Sequence, residues 1–439
     1  MSSRGAEPSH NLSQQLEPQM RHSLNTHSSS NKHYDAIVTG GGIAGSAAAI
    51  LLSRAGARVA IVERTDAFRD RVRGEWLAPW GAAEVRRLGL GPVFEAAGSH
   101  RLPWNVSRSG RPRYQSTPEG DVPLTFSHPR LQEELLAAAW DAGVTVIRPA
   151  LVESVTPREG GNSPAVTIQQ QGRHSVLRAS LVIGADGRSS LARKTAALTE
   201  HLHRSSRLLA GVLLSGVGGT NDRSHFLIRP RGEGLAMIYP RGDGYARGYV
   251  FLPSATEADF RGPDGFDFFV RAALESGIPE EVLADVTQEG PLAGFVADDS
   301  WVDHPYRDGL ALVGDAAGVS DPTWGMGISL ALRDARALTE AWISEGAVEP
   351  AGHRYAEERD AYYRVVRTAE NWQSQLLFSP GVDADARRLR AAKQWSKDPS
   401  SFPDLNGLGP DVDVSEAAYR RFLGLDEIAT EYAGELVTV

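Results

Sequence analysis

The sequence predicts an α/β protein: a domain of alternating strands and helices with a second, antiparallel β-sheet domain inserted between its halves. Three observations carry this. A buried strand, Ala36 to Val38, runs through three glycines into an apolar helical pattern over Ile43–Ala55. A second strand, "ARVAIVE", ends on an acid, Glu63. Between residues 208 and 254, "LLAGVLLSGV", "SHFLIRPRGEG", "LAMIYPRGDG" and "YARGYVFLPS" are short strand-like runs broken by Gly, Pro and Asp, the signature of antiparallel hairpins.

Residues 1–33 are rich in Ser, Asn, Gln and His and contain no apolar run, so a disordered extension is expected there rather than a signal peptide. In "IVTGGGIAGSAAAILLSRAGARVAIVER" (37–64), Gly40, Gly42 and Gly45 suit a Rossmann-like turn. The first allows a tight turn, the second a close approach of backbone to a pyrophosphate, and the third close packing of helix on strand. The helix start, with Ile43 and Ala44, faces the phosphates. Glu63, about twenty residues on, can accept hydrogen bonds from ribose hydroxyls and repels a 2′-phosphate, which favours FAD or NAD over NADP. A purely structural turn is the alternative, and the ordered strand, helix and acid weigh against it.

Further along, residues 128–150 read as a helix followed by the strand "VTVI", and the chain beyond residue 376 becomes charged and turn-rich. The expected division is a discontinuous strand-and-helix domain over 34–105, 127–200 and 300–375, and an inserted sheet domain over 106–126 and 201–299. A helical or irregular C-terminal segment covers 376–439. The formal charge of −9 argues against nucleic acid as a partner. With no cysteine, thiolate metal sites and disulfides are excluded, no metal is expected, and redox chemistry has to come from a bound cofactor. The longest apolar run, "AAAILL", is far short of a membrane span, so no membrane anchor is expected. A cytoplasmic enzyme acting on a small molecule, monomer or homodimer, fits these features.

Two later segments sharpen the reading: "LVIGADGRSSLARK" (181–194) and "GLALVGDAAGVSDPTWGMGISLALRDA" (309–335). Together with the glycine fingerprint they resemble, in order and spacing, the three signatures of the FAD-dependent monooxygenases related to p-hydroxybenzoate hydroxylase. The resemblance covers residues 34–375. It implies a glutathione reductase-type FAD-binding domain with an inserted substrate-binding sheet. It assigns Gly40, Gly42, Gly45 and Glu63, with the adjoining Ile43, Ala44 and Arg64, to the ADP half of FAD. Gly314 and Asp315 fall to the ribityl chain, and the turn Gly325, Met326, Gly327, Ile328 to the flavin carbonyl and N1 side, where a helix dipole favours the reduced anionic ring. Asp186 is expected to touch both FAD and the nicotinamide donor, an ordinary Asp-Gly turn being the other reading.

Arg73 and Arg130 are expected near the flavin by the same resemblance, with solvated surface positions as the alternative; Glu75, Trp76 and Trp80 either shape the ring pocket or pack a helix start. The chain also departs from the family, with Gly318 where a histidine is usual and Met326 and Ser329 in place of Gln and Asn. Trp324 is expected to wall the pocket or to be a core tryptophan.

The activity implied is that of the group A enzymes: NADH or NADPH reduces FAD, O2 adds to form a flavin C4a-hydroperoxide, and one oxygen passes to an aromatic or unsaturated small molecule, as in secondary metabolism. Hydroxylation and epoxidation stay open. A phenolic substrate benefits from a base, for which His128, His225 and Tyr239 are candidates. Arg229, Arg231, Arg241 and Arg247 could receive an acidic or carrier-bound substrate or be solvated beside turns. The alternatives are a flavin reductase or dehydrogenase, a halogenase, which the few and poorly placed lysines disfavour, and a non-catalytic FAD-binding protein.

Overall fold

The first sheet begins with His33–Thr39, whose central residues Ala36, Ile37 and Val38 are fully buried, as expected of a strand covered on both faces. In the computed structural model, which describes residues 33–107, 110–229 and 232–425, this strand lies between Arg173–Gly184 and Val59–Val62, parallel to both. Thr145–Ile147 extends the parallel sheet on one side and Leu310–Leu312 on the other. Each of the three signatures therefore leaves the sheet at a strand's C-terminal end, where open α/β sheets place their ligands. The expected N-terminal extension (apart from His33) and Arg231 lie outside the described residues.

Helix Ile43–Arg54 is alanine-rich and its face from Ala47 to Ile50 is fully buried. Small side chains let it lie close to the sheet and against helix Gly327–Glu345. Gly45 shows how tight the fit is: a Cβ there would stand 2.0 Å from the Gly40 carbonyl oxygen and 3.0 Å from Val38 and Ala185.

The second sheet pairs Arg207–Ser215, Tyr245–Pro253, Leu235–Pro240 and Arg223–Ile228 in antiparallel fashion. Trp104–Val106, from well upstream, joins it parallel to Arg223–Ile228. Both faces are covered. Leu208, Ala210, Ala236, Ile238, Val250 and Leu252 pack with Phe269 and Ala272 of helix Gly265–Glu275. The alternate residues Leu209, Met237, Tyr239, Tyr249 and Phe251 point the other way, toward the first sheet's helices.

The charged stretch after residue 376 is more regular than its sequence pattern conveys. Helix Val348–Phe378 runs for 31 residues, and Val382–Lys397 and Glu416–Leu423 fold back on it around Trp372, Trp395, Phe402, Tyr419 and Phe422. Their aromatic residues are too widely spaced in sequence to form one periodic stripe, which is why the cluster is not visible before folding. No helix among the described residues is long and apolar enough to cross a membrane.

Candidate active site

The glycine turn is built by contacts that tolerate no side chain. Gly40 has φ +104°, and a Cβ there would lie 2.4 Å from the Ala185 carbonyl oxygen. Gly42 is different: its φ is −71° and its nearest neighbour would be Gln132 Nε2 at 3.6 Å, so the space beside it is open. Glu63, buried at the end of its strand, accepts from Gly41 N at 2.8 Å and from the Thr65 amide and hydroxyl, each at 2.8 Å. A carboxylate has about four acceptor sites, so with three filled one remains for a ribose hydroxyl.

These residues open onto one cavity of about 540 Å³. Gly40, Gly42, Ile43, Ala44, Glu63 and Arg64 line one end of it; Arg73, Asp186, Asp315, Gly325, Gly327 and Ile328 also line it, with His128 and Tyr239. Two stretches expected to act together are thus brought together across more than 280 residues. Asp186 Oδ2 also accepts from the amides of Leu191 and Ala192 at 2.7 and 3.1 Å, capping a short helix, while its Oδ1 is buried without a partner. Asp315 is half-exposed, 3.7 Å from Arg188 Nε.

Several expected residues stand elsewhere. Arg130 is not on the cavity: it is exposed and donates to the Ala96 carbonyl at 2.6 Å. Two residues along a helix turn the side chain by about 200°, so His128 and Gln132, four apart, face the cavity and Arg130 faces away. Gly45 and Gly314 act behind the wall. Gly314, at φ +59°, donates its amide to Asp334 at 2.7 Å, and its missing Cβ makes room for Ala44.

Met326 is fully buried and accepts from Trp80 Nε1, which accounts for a thioether at this turn. Trp324 takes the core role, donating to Ser374 at 2.9 Å and stacking near Phe226. His225 sits on the inserted sheet away from the cavity lining. Gly318 is closely packed, since a Cβ would come within 3.0 Å of Arg359, Ser300 and Tyr363.

The inserted-sheet arginines are spent on the protein itself. Arg247, 1 % exposed, pairs with Asp70 at 2.7 Å and Glu75 at 3.0 Å. Arg241 pairs with Glu75 at 3.1 Å and Asp243 at 3.0 Å, and Arg229 with Glu275 at 2.9 Å. Buried charges at a sheet face need such partners. None of these five pairs supports an acidic substrate contact.

Sequence reasoning missed the far wall: Val72, Leu209, Met237, Tyr249, Phe251 and Phe295. The alternation within 235–253 carried the signal, because Met237 and Tyr239 share a face, as do Tyr249 and Phe251 on the neighbouring strand. Trp76 stacks on Tyr239 at 5.8 Å, and Tyr249 donates to the Arg73 carbonyl at 2.7 Å. Burial raises both tyrosine pKa values far above the usual phenol range, so both hydroxyls stay protonated.

His128 is the wall's one imidazole among the described lining residues. Its backbone amide donates to Glu75 at 2.9 Å, and its Nδ1 lies 2.8 Å from the Gly74 carbonyl oxygen. That oxygen can only accept, so Nδ1 carries the hydrogen and Nε2 keeps its lone pair. Burial holds its pKa below the ordinary imidazole value, against the opposing pull of Gly74 and Glu75.

Compared with known proteins, residues 33–368 match the family described as "FAD binding domain". The 6-methylpretetramide 4-monooxygenase of Streptomyces rimosus is 28% identical over 393 residues, covering 84% of this chain and 90% of that protein. The menaquinone reductase of Mycolicibacterium smegmatis is 28% identical over 338 residues, 73% of this chain and 78% of that one. Among solved structures, the flavin-dependent brominase Bmp2 superposes with a TM-score of 0.71 at 16% identity, over 91% of this chain and all of that chain, a likeness of fold. On the match to residues 33–368, with the glycine turn, the acid and the later strand-end aspartates gathered on one cavity, this chain belongs to the FAD binding domain family.

Proposed function

We propose that this chain is an FAD-dependent monooxygenase, driven by NADH or NADPH, that places one oxygen atom of O2 on an aromatic or unsaturated small molecule in the cytoplasm. The observation that carries the reading is the single cavity joining the dinucleotide turn to an aromatic compartment walled by the inserted sheet. A cofactor end and a substrate end share one cavity.

The residues fit FAD. The backbone from Gly40 to Ala44 and the helix start behind it would hold the pyrophosphate, since no side chain fills the space beside Gly42. Glu63 would hold the adenosine ribose and Asp315 the ribityl hydroxyls. The start of helix Gly327–Glu345 offers free amides and a positive dipole end to the ring's carbonyl side. When bound, the flavin supplies two-electron reduction by a nicotinamide and activation of O2. Trp76, Met237, Tyr239, Tyr249 and Phe251 orient an aromatic substrate and exclude water. His128, the one imidazole among the described lining residues, has an Nε2 lone pair able to accept a proton from a substrate hydroxyl.

Among the described residues no lysine lines the cavity, which gives the halogenation reading no support. The test is a screen of aromatic and polycyclic compounds against the purified protein, following NADH and NADPH oxidation and O2 uptake together. A supporting compound accelerates both in equal amounts and leaves a product 16 mass units heavier. Accelerated oxidation without O2 uptake, giving a product heavier by two hydrogens, replaces this reading with a reductase.

A further inference from the structure

Ser320, Pro322 and Thr323 line the cavity on the approach to the turn 325–328, whereas Asp321 between them does not. Its carboxylate bonds instead to groups behind the wall. Oδ2 accepts from Arg207 Nη2 at 2.7 Å and from Ser374 Oγ at 2.9 Å, and Oδ1 accepts from the Thr323 amide at 3.0 Å. Arg207 Nη1 donates to Thr323 Oγ1 at 2.9 Å, so one guanidinium fork grips both ends of the step from Asp321 to Thr323. Ser374 Oγ also accepts from Trp324 Nε1 at 2.9 Å. The pair of Arg207 and Asp321 is largely shielded from water, with 17 % and 14 % of the two side chains exposed.

The partners come from parts of the chain with different tasks. Arg207 opens the inserted strand Arg207–Ser215, and Leu209, two residues on and so on the same face, belongs to the aromatic wall. Ser374 lies near the end of helix Val348–Phe378, and the Arg207 guanidinium stands over the ring of its last residue, Phe378, at 4.4 Å. Trp324 touches Phe226 of the inserted sheet and Phe378 of that helix, with ring centroids 6.1 and 6.2 Å away. Segment 320–324 itself belongs to no strand or helix; it links the short strand Gly318–Val319 to helix Gly327–Glu345. Without a backbone ladder of its own, such a segment keeps one shape only where side chains determine it.

We infer that Arg207, Asp321 and Ser374 are positioning residues: together they fix the wall segment 320–324 and, through it, the turn 325–328 beneath the flavin ring, tying the inserted sheet to the flavin end of the cavity. The ligand named at this turn rests on the flavin reading, and the junction itself does not. None of the three lines the cavity, so each acts through Thr323, Trp324 or the backbone between them. Removing the guanidinium leaves a shielded carboxylate without its cation, and the segment has to rearrange to bring Asp321 to water. The glycine turn is carried by other elements, His33–Thr39 and Ile43–Arg54. A loss at the junction therefore reaches the flavin end of the cavity and spares the ADP end.

The test uses the full chain as wild type, R207M, R207K and S374A. Each is deflavinated and titrated with FAD and with ADP, a probe that fills the glycine-turn end alone, and hydrogen–deuterium exchange is followed in peptides covering 319–328. R207M should bind FAD at least about tenfold more weakly, the equivalent of one lost bond to a charged partner. Its ADP affinity should stay at the wild-type value, and its exchange at 319–328 should rise. R207K keeps the charge without the fork and should fall between the two. S374A should move exchange and FAD affinity the same way, and it carries the test if R207M does not fold. Equal losses of FAD and ADP affinity would mean a general loosening and overturn the inference, as would unchanged FAD affinity or unchanged exchange at 319–328. A wild type that takes up ADP but no FAD fails the flavin reading alone, and exchange at 319–328 then decides whether the junction holds the wall.

Discussion

Gly42→Ala separates a dinucleotide-binding turn from a merely structural one. The backbone of Gly42 is at φ −71°, ordinary for alanine, and the added methyl would meet nothing closer than Gln132 Nε2 at 3.6 Å. The protein without flavin therefore loses less than about 1 kcal/mol, the difference between glycine and alanine at a helix start. The methyl does, however, enter the space where the pyrophosphate must approach the backbone. Losing one charge-assisted amide contact there costs about 2 kcal/mol, a rise in the FAD dissociation constant of about 30-fold. Gly45→Ala is the control. Its Cβ would be 2.0 Å from a carbonyl oxygen, so it should lower the stability of the flavin-free protein by about 1–3 kcal/mol of overpacking. The assays are quenching of FAD fluorescence on titration into deflavinated protein, and the thermal midpoint of each flavin-free variant. Unchanged FAD affinity in Gly42→Ala, or a drop in its midpoint equal to that of Gly45→Ala, would refute the reasoning.

Asp315→Ala should lower FAD occupancy with little loss of stability, because its one side-chain partner among the described residues is Arg188 at 3.7 Å, whereas Asp186→Ala removes two helix-capping bonds and should cost about 1 kcal/mol of stability first; flavin absorbance and thermal melts of both variants check the contrast. With a phenolic substrate, activity should hold through neutral pH and fall as pH drops through the lowered His128 pKa, since burial favours the neutral base. His128→Gln should lose that acid limb, and an unchanged pH–rate profile would count against the assignment. Arg247→Met leaves Asp70 without its arginine and Glu75 with Arg241 alone, and should destabilise by about 3 kcal/mol in urea unfolding. Combined with Glu75→Gln it should cost clearly less than the two losses added together.

The first sheet was legible because covered strands are nearly continuous apolar runs and because glycine turns leave a fixed spacing behind them. The inserted hairpins were legible from their Gly and Pro punctuation. What the sequence could not convey was which face of an element meets the cavity. Arg130 and His128 are two positions apart, and only the seating of their helix decides that His128 faces inward. Arg241 and Arg247 look like solvated or ligand-binding charges until Glu75 and Asp70, more than 160 residues earlier, are brought against them. Trp324 likewise could have served pocket or core, and a single hydroxyl, Ser374, fixes it in the core. The aromatic C-terminal cluster depends on contacts between separate helices and leaves no local period to read.

Turnover under 18O2 in ordinary water tests the central claim most directly, because it follows the oxygen atom itself. With a substrate found in the screen, mass spectrometry should show a product heavier by one 18O, formed in step with one NADH or NADPH and one O2, and an unlabelled inserted oxygen when 16O2 is used in H2 18O. A product oxygen drawn from water, or turnover that continues at the same rate without O2, would contradict oxygen transfer by this chain even with FAD fully bound.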